Sequence, residues 1–152
     1  MSSAFKKVLA DSGLSFDCEI GSKPVVYIAG PFASDPVTNT ENAVRVGSVA
    51  TSVGLAPIIP HTTIISNAYG RDEEKCERDN GMMITLSILQ MVALDPNSHL
   101  WVIQSEDGTL SQGTQLEYDL WNELRKEYDN KNVIVKTYRD WLSLPTLRLS
   151  GV

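Results

Sequence analysis

Val25-Val26-Tyr27-Ile28-Ala29-Gly30-Pro31-Phe32 is a β-branched and aromatic run that halts at Gly-Pro. Its apolar residues do not alternate with polar ones, as expected of a central parallel strand, and the Gly-Pro pair ends it in a turn. Beyond the turn, Asp35 to Asn39 is polar. Thr38 or Asn39 is placed to cap a helix that carries Ala43, Val44, Val46, Val49, Ala50 and Val53 and stops at Gly54. Strand, loop and helix in that order make half of a βαβ unit.

The pattern repeats downstream. Leu55 to Ile59 reads as a second strand closed by Pro60 and His61, and Thr62 to Lys75 as a long polar connection of the kind that serves as a lid or binding loop. A helix opening at Asp72 or Glu73 carries Arg78, Asp79, Met82, Met83, Leu86, Leu89 and Val92 to a stop near Asp95-Pro96, its methionines read as core filler. Leu100 to Ile103 is a third strand, Gln112 to Glu127 a helix, Asn132 to Lys136 a fourth strand and Tyr138 to Leu142 a short last helix, followed by an apolar tail of Leu144, Leu147, Leu149 and Val152. Alternating strands and helices predict a mainly parallel sheet of four to five strands with helices on both faces. Residues 1–22, a short amphipathic helix around Phe5, Val8 and Leu9, a turn at Gly13 and a connector, read as an appendage to one α/β domain spanning 23–152.

Composition narrows the partners. The 13 basic against 19 acidic residues leave a net charge of −6 with no Lys/Arg cluster, which disfavours a nucleic-acid polymer or an anionic membrane. A small anionic ligand stays compatible, because local hydrogen-bond donors can hold a phosphate on an acidic protein. Cys18 and Cys76 form no CxxC or Cys/His cluster, so neither a zinc site nor a disulfide framework is expected. Lys6, Lys7, Asp11 and Asp17 interrupt every apolar run near the start, so no signal-peptide core is expected there, and a cytoplasmic location follows as an expectation.

In open parallel sheets, ligands bind outside the carboxyl ends of the strands. Tyr27 lies near the end of the first strand, His61 follows the second, and Ser111-Gln112-Gly113-Thr114-Gln115-Leu116-Glu117 follows the third. Asp79, near a helix start, is a further carboxylate for the same crevice. A Tyr hydroxyl suits the task of orienting a nucleophilic Glu, and two carboxylates flanking a sugar are what glycosidic cleavage requires. The plainer reading remains open, with Ser111 as a helix cap, Glu117 and Asp79 on solvated faces, and Tyr27 and His61 as packed structural residues.

Four segments taken in order, Val26-Tyr27-Ile28-Ala29-Gly30-Pro31-Phe32, Pro57-Ile58-Ile59-Pro60-His61, Glu77-Arg78-Asp79 and Ser111-x-Gly113-Thr114-x-x-Glu117, resemble the nucleoside 2-deoxyribosyltransferase superfamily over roughly residues 23–135. The resemblance implies a flavodoxin-like, Rossmann-like three-layer sandwich that needs no metal or cofactor. It implies Glu117 as the nucleophile on the anomeric carbon, Tyr27 as its orienting partner, and Asp79 on the sugar or the leaving base. Gly30, Pro31, Phe32, His61, Ser111, Gly113 and Thr114 are then substrate-binding. A homodimer or larger homo-oligomer, in which a neighbouring subunit completes the pocket, is also implied.

Serine at position 111 resembles the nucleoside 5′-monophosphate N-glycosidases rather than the transferases, which tend to carry aspartate there. A hydroxyl and helix-start amides donate to phosphate oxygens, whereas a carboxylate repels them. The expected function is therefore hydrolysis of the N-glycosidic bond of a (deoxy)nucleoside 5′-monophosphate to free base and sugar phosphate. The alternatives are base exchange by a nucleoside 2-deoxyribosyltransferase and a non-catalytic nucleotide-binding protein on the same fold. Two departures stand out. Phe32, Ala33 and Ser34 occupy the place of an expected phosphate-clamping arginine, for which Arg45 and Arg71 are the candidate replacements, and Tyr118 to Trp121 are bulkier than the small residues that usually follow the nucleophile.

Overall fold

The computed structural model describes residues 3–13, 23–62 and 75–143, with residues 5 and 75–78 as backbone only. The connector at 14–22, the expected lid and helix start between 63 and 74, and the apolar tail from 144 lie outside the described residues. Nine elements follow in order: α1 (Ser3–Asp11), β1 (Val25–Ala29), α2 (Pro36–Ser52), β2 (Ala56–Ile58), α3 (Lys75–Ala93), β3 (His99–Gln104), α4 (Gln112–Tyr128), β4 (Val133–Thr137) and α5 (Tyr138–Leu142).

All four strands are parallel, in the order β2-β1-β3-β4. Val25 pairs with Ala56, Tyr27 with Leu100, and Leu100 with Val133. Successive side chains of a strand point to opposite faces, and β1 divides accordingly. Tyr27 and Ala29 join Leu89, Val92, Leu100, Val102, Trp121 and Leu124 under α3 and α4. Val26 and Ile28 join Ala43, Val46, Ala50, Trp101 and Trp141 under α2 and α5. The result is a flavodoxin-like three-layer α/β sandwich. No helix among the described residues is long and apolar enough to cross a membrane.

Local chemistry sets the boundaries. The cap of α2 is Asp35, not Thr38 or Asn39: its carboxylate accepts from the Thr38 amide at 3.2 Å, and Pro36 fills the first helical turn, where a missing N–H costs nothing. Ala43, Val46, Gly47 and Ala50 form the buried stripe of α2, and Gly54, at φ +85°, releases the chain toward β2. Gly47 is where α2 meets the β2 segment, since a Cβ there would lie 2.5 Å from Ile59 Cδ1. At the opposite end of the sheet from the strands' carboxyl ends, buried Asn130 ties two loops together, donating to the Asp95 and Ser98 carbonyls at 2.9 and 3.1 Å while accepting from the Asn132 amide.

The methionines of α3 correct the core-filler reading. Met83 is 63% and Met91 69% exposed, and Leu86, Leu89 and Val92 face inward instead. Met82 is half-buried.

Candidate functional site

The strand order reverses direction between β1 and β3: β2 lies on one side of β1, and the chain then crosses back to place β3 on the other. Such a switch point opens a crevice at the strands' carboxyl ends. A cavity of about 280 Å³ lies there, lined by the loop 30–34 after β1, by Asp79 and Met82 of α3, and by Ser111 to Thr114, Leu116 and Glu117 at the start of α4.

Two glycines make that convergence possible. A Cβ on Gly30 would stand 3.2 Å from the Ile103 Cβ, so the β1 loop lies close against the end of β3. A Cβ on Gly113 would meet the Met82 sulfur at 3.3 Å, which shows how tightly the first turn of α4 approaches α3.

Glu117 faces the cavity yet is only 4% exposed, and its Oε2 has no hydrogen-bond partner. Burial pushes its carboxyl up to about 7, opposed by a hydrogen bond with the Tyr27 hydroxyl that favours the ionised form. Tyr27 is fully buried behind the cavity wall, and its hydroxyl also lies 3.4 Å from the Thr85 carbonyl oxygen. A phenol has one proton to give. It donates to Glu117 when the carboxylate is ionised, and is free to turn to Thr85 when Glu117 is protonated and becomes the donor.

Ser111 combines the two roles weighed for it. Its Oγ accepts from the Thr114 amide at 3.3 Å as the cap of α4 and lies 2.7 Å from Thr114 Oγ1, while the residue also lines the cavity. The amides of Gln112 and Gly113 stand in the first turn, where helical N–H groups lack intrahelical acceptors. Asp79 supplies a second, exposed carboxylate to the cavity lining.

His61 stands apart from the cavity lining. It is 1% exposed, and its Nε2 donates to the carbonyl oxygens of Gly30 and Pro31 at 3.1 and 3.0 Å. Burial holds its pKa below the ordinary imidazole value, and its ring meets Phe32 edge-on with centroids 5.9 Å apart. A neutral histidine bonded this way fixes the β1 loop from behind and does not offer a cation to an anionic ligand.

From the other side Asn39 Nδ2 donates to the Phe32 carbonyl at 3.2 Å and to Ser34 Oγ at 3.1 Å. The sequence offered Asn39 only as a helix cap. Gln112 and Leu116 are further wall residues assigned no role from the sequence, and Ala33, Ser34 and Met82, read there as standing in an arginine's place and as core filler, line the cavity as well.

Arg45 lies away from the site, its Nη1 donating to the Tyr138 hydroxyl at 3.1 Å on the α2–α5 side. Arg71 lies outside the described residues. The bulk after Glu117 is absorbed by the core, where Trp121 is fully buried and Tyr118 packs against the same cluster. No group of three or more His, Cys, Asp or Glu able to hold a metal occurs among the described residues.

The segment that builds this site is the segment a family model matches, residues 24–131, described as Domain of unknown function (DUF7768). The chain belongs to the DUF7768 family. The match opens just before β1 and closes after α4, so it spans every described residue of the DUF7768 cavity wall. No curated protein and no solved structure matches the chain.

Proposed function

We propose that this DUF7768 protein hydrolyses the N-glycosidic bond of a nucleoside 5′-monophosphate in the cytoplasm, with Glu117 as nucleophile. The observation that carries the reading is the buried Glu117 carboxyl, whose Oε2 is unpartnered and which holds Tyr27 while facing a cavity of nucleoside size. A carboxyl near 7 is ionised in about half the molecules at neutral pH.

Ionised Glu117 attacks the anomeric carbon. The C–N bond breaks with its electron pair leaving on the base, which takes up a proton from water, while Asp79 accepts hydrogen bonds from the sugar. The glycosyl ester on Glu117 is then cleaved by water, releasing the sugar phosphate and restoring the carboxylate. The free amides of α4 and the Ser111 hydroxyl are the donors for the phosphate.

A second reading, base exchange on an uncharged nucleoside, is favoured by one observation: the two charged side chains of the described wall, Asp79 and Glu117, are both acidic. Chromatography of base release tests both. Release from monophosphates that vanishes in Glu117→Gln supports hydrolysis, and release from nucleosides only with an added acceptor base moves the assignment to transfer. Binding of a nucleotide without turnover leaves a nucleotide-binding protein.

A further inference from the structure

The loop after β1 is held by two side chains that do not themselves line the cavity. His61 Nε2 donates to the Gly30 and Pro31 carbonyls, and Asn39 Nδ2 donates to the Phe32 carbonyl at 3.2 Å and to Ser34 Oγ at 3.1 Å. Every residue from Gly30 to Ser34 lines the cavity, whereas neither His61 nor Asn39 does. Asn39 stands in the first turn of α2, the layer on the other side of the sheet from α3 and α4. Its pull on the loop therefore runs away from the cavity.

The direction of that pull has a chemical result. A trans peptide sets its N–H opposite its C=O, and the described chain contains no cis bond. With the Phe32 carbonyl drawn back to Asn39, the N–H of the same peptide, which belongs to Ala33, turns forward. No acceptor among the described residues meets it. A carbonyl can only accept, so the Asn39 amide must present its NH2 group to Phe32, and that group gives its second proton to Ser34. Ser34 Oγ is thereby an acceptor at the rear, and its own proton is left for the cavity. Two neutral donors stand in the wall where an arginine was expected. Backbone N–H and hydroxyl groups hold phosphate oxygens without a cation.

We propose that Asn39 is a positioning residue for ligand binding, aiming the Ala33 amide and the Ser34 hydroxyl at a phosphate oxygen of the ligand. The inference rests on the nucleotide reading for the phosphate, and on the hydrogen bonds alone for the direction of the donors. Asn39→Asp keeps the shape of the side chain and reverses its chemistry: a carboxylate cannot donate to the Phe32 carbonyl, and it draws the Ser34 proton to itself. Its charge suits the start of a helix, so α2 is not weakened. Ser34→Ala removes a single hydroxyl from an exposed residue.

Amide NMR of the isotope-labelled full chain, titrated with inorganic phosphate and with ribose 5-phosphate, tests it, since the proposed reaction consumes neither. The expected result is a saturable downfield shift of the Ala33 amide proton in the wild type, lost in Asn39→Asp and needing roughly tenfold more phosphate in Ser34→Ala. In base release, Asn39→Asp should raise KM for monophosphates about tenfold or more and leave kcat within about threefold, a split that a merely structural part would not give. An Ala33 amide that neither phosphate moves in the wild type overturns the proposal, as does one that moves equally in folded Asn39→Asp. Should that variant fail to fold, a Ser34→Ala titration that matches the wild type overturns it. Phosphate shifts that behave as expected while no monophosphate releases base would remove the hydrolysis reading and support this inference.

Discussion

The Tyr27 hydroxyl meets the Glu117 carboxyl behind the cavity wall, joining the middle of β1 to the second turn of α4. Because that bond favours the carboxylate, it works against the burial that raises the Glu117 pKa.

Tyr27→Phe removes the opposing bond and leaves the burial. The ionisation limb of the kcat/KM profile for base release is expected to move above its wild-type position near 7, with activity at neutral pH down about tenfold or more. A pH-rate profile checks this; a uniformly lowered profile with an unmoved limb would assign Tyr27 a purely structural part.

Glu117→Gln is expected to abolish base release while raising stability at alkaline pH. A carboxyl at about 7 in the fold and near its ordinary value of 4.5 when unfolded binds more protons folded than unfolded between those values. Stability therefore falls as pH rises through that window, and the cost, roughly 3 kcal/mol, is fully present above it. Urea denaturation should find the variant more stable than wild type at about pH 8 and close to it at about pH 4.

His61→Phe keeps an aromatic ring behind Phe32 but leaves the Gly30 and Pro31 carbonyls without their donor, for an expected loss of about 1–3 kcal/mol. The imidazole pKa is lowered in the fold, so the stability held by neutral His61 is complete above the unfolded value and is lost as pH falls below it. The gap between wild type and variant in urea should therefore narrow on acidification.

Gly47→Ala improves helix propensity yet should destabilise by about 1–3 kcal/mol through overpacking, because the new methyl meets Ile59 Cδ1. Ile59→Val, which lacks that atom, is expected to restore part of the loss in thermal melts.

The strands were legible because buried parallel strands are continuous apolar runs, and Glu117 because its segment follows one of them. What the sequence concealed is directional. Asp35 outcompeted Thr38 and Asn39 as cap because Pro36 already suits the first turn. His61 follows β2 as read, but whether its ring turns toward a ligand or back onto the Gly30 and Pro31 carbonyls depends on a turn geometry no spacing encodes. Met83 was misassigned because between Gly81 and Ala93 the helix has large apolar residues on its outer as well as its inner side, which blurs the periodicity that says which side is inward. Gly30, Pro31 and Phe32 were placed beside the crevice by the resemblance, whereas the grip of Asn39 on their loop depends on the approach of α2.

Trp101 and Trp141 are stacked at 4.4 Å on one side of the sheet, while Trp121, one helical turn past Glu117, lies in the cluster on the other. The molecule thus contains two optical probes that the sheet keeps apart. Emission from Trp121 is expected to respond to the charge state of Glu117 one turn away, and the stacked pair to give a circular-dichroism couplet that is lost when the layer under α2 and α5 unpacks. One unlabelled sample is thus expected to report the two sides of the sheet as separate signals.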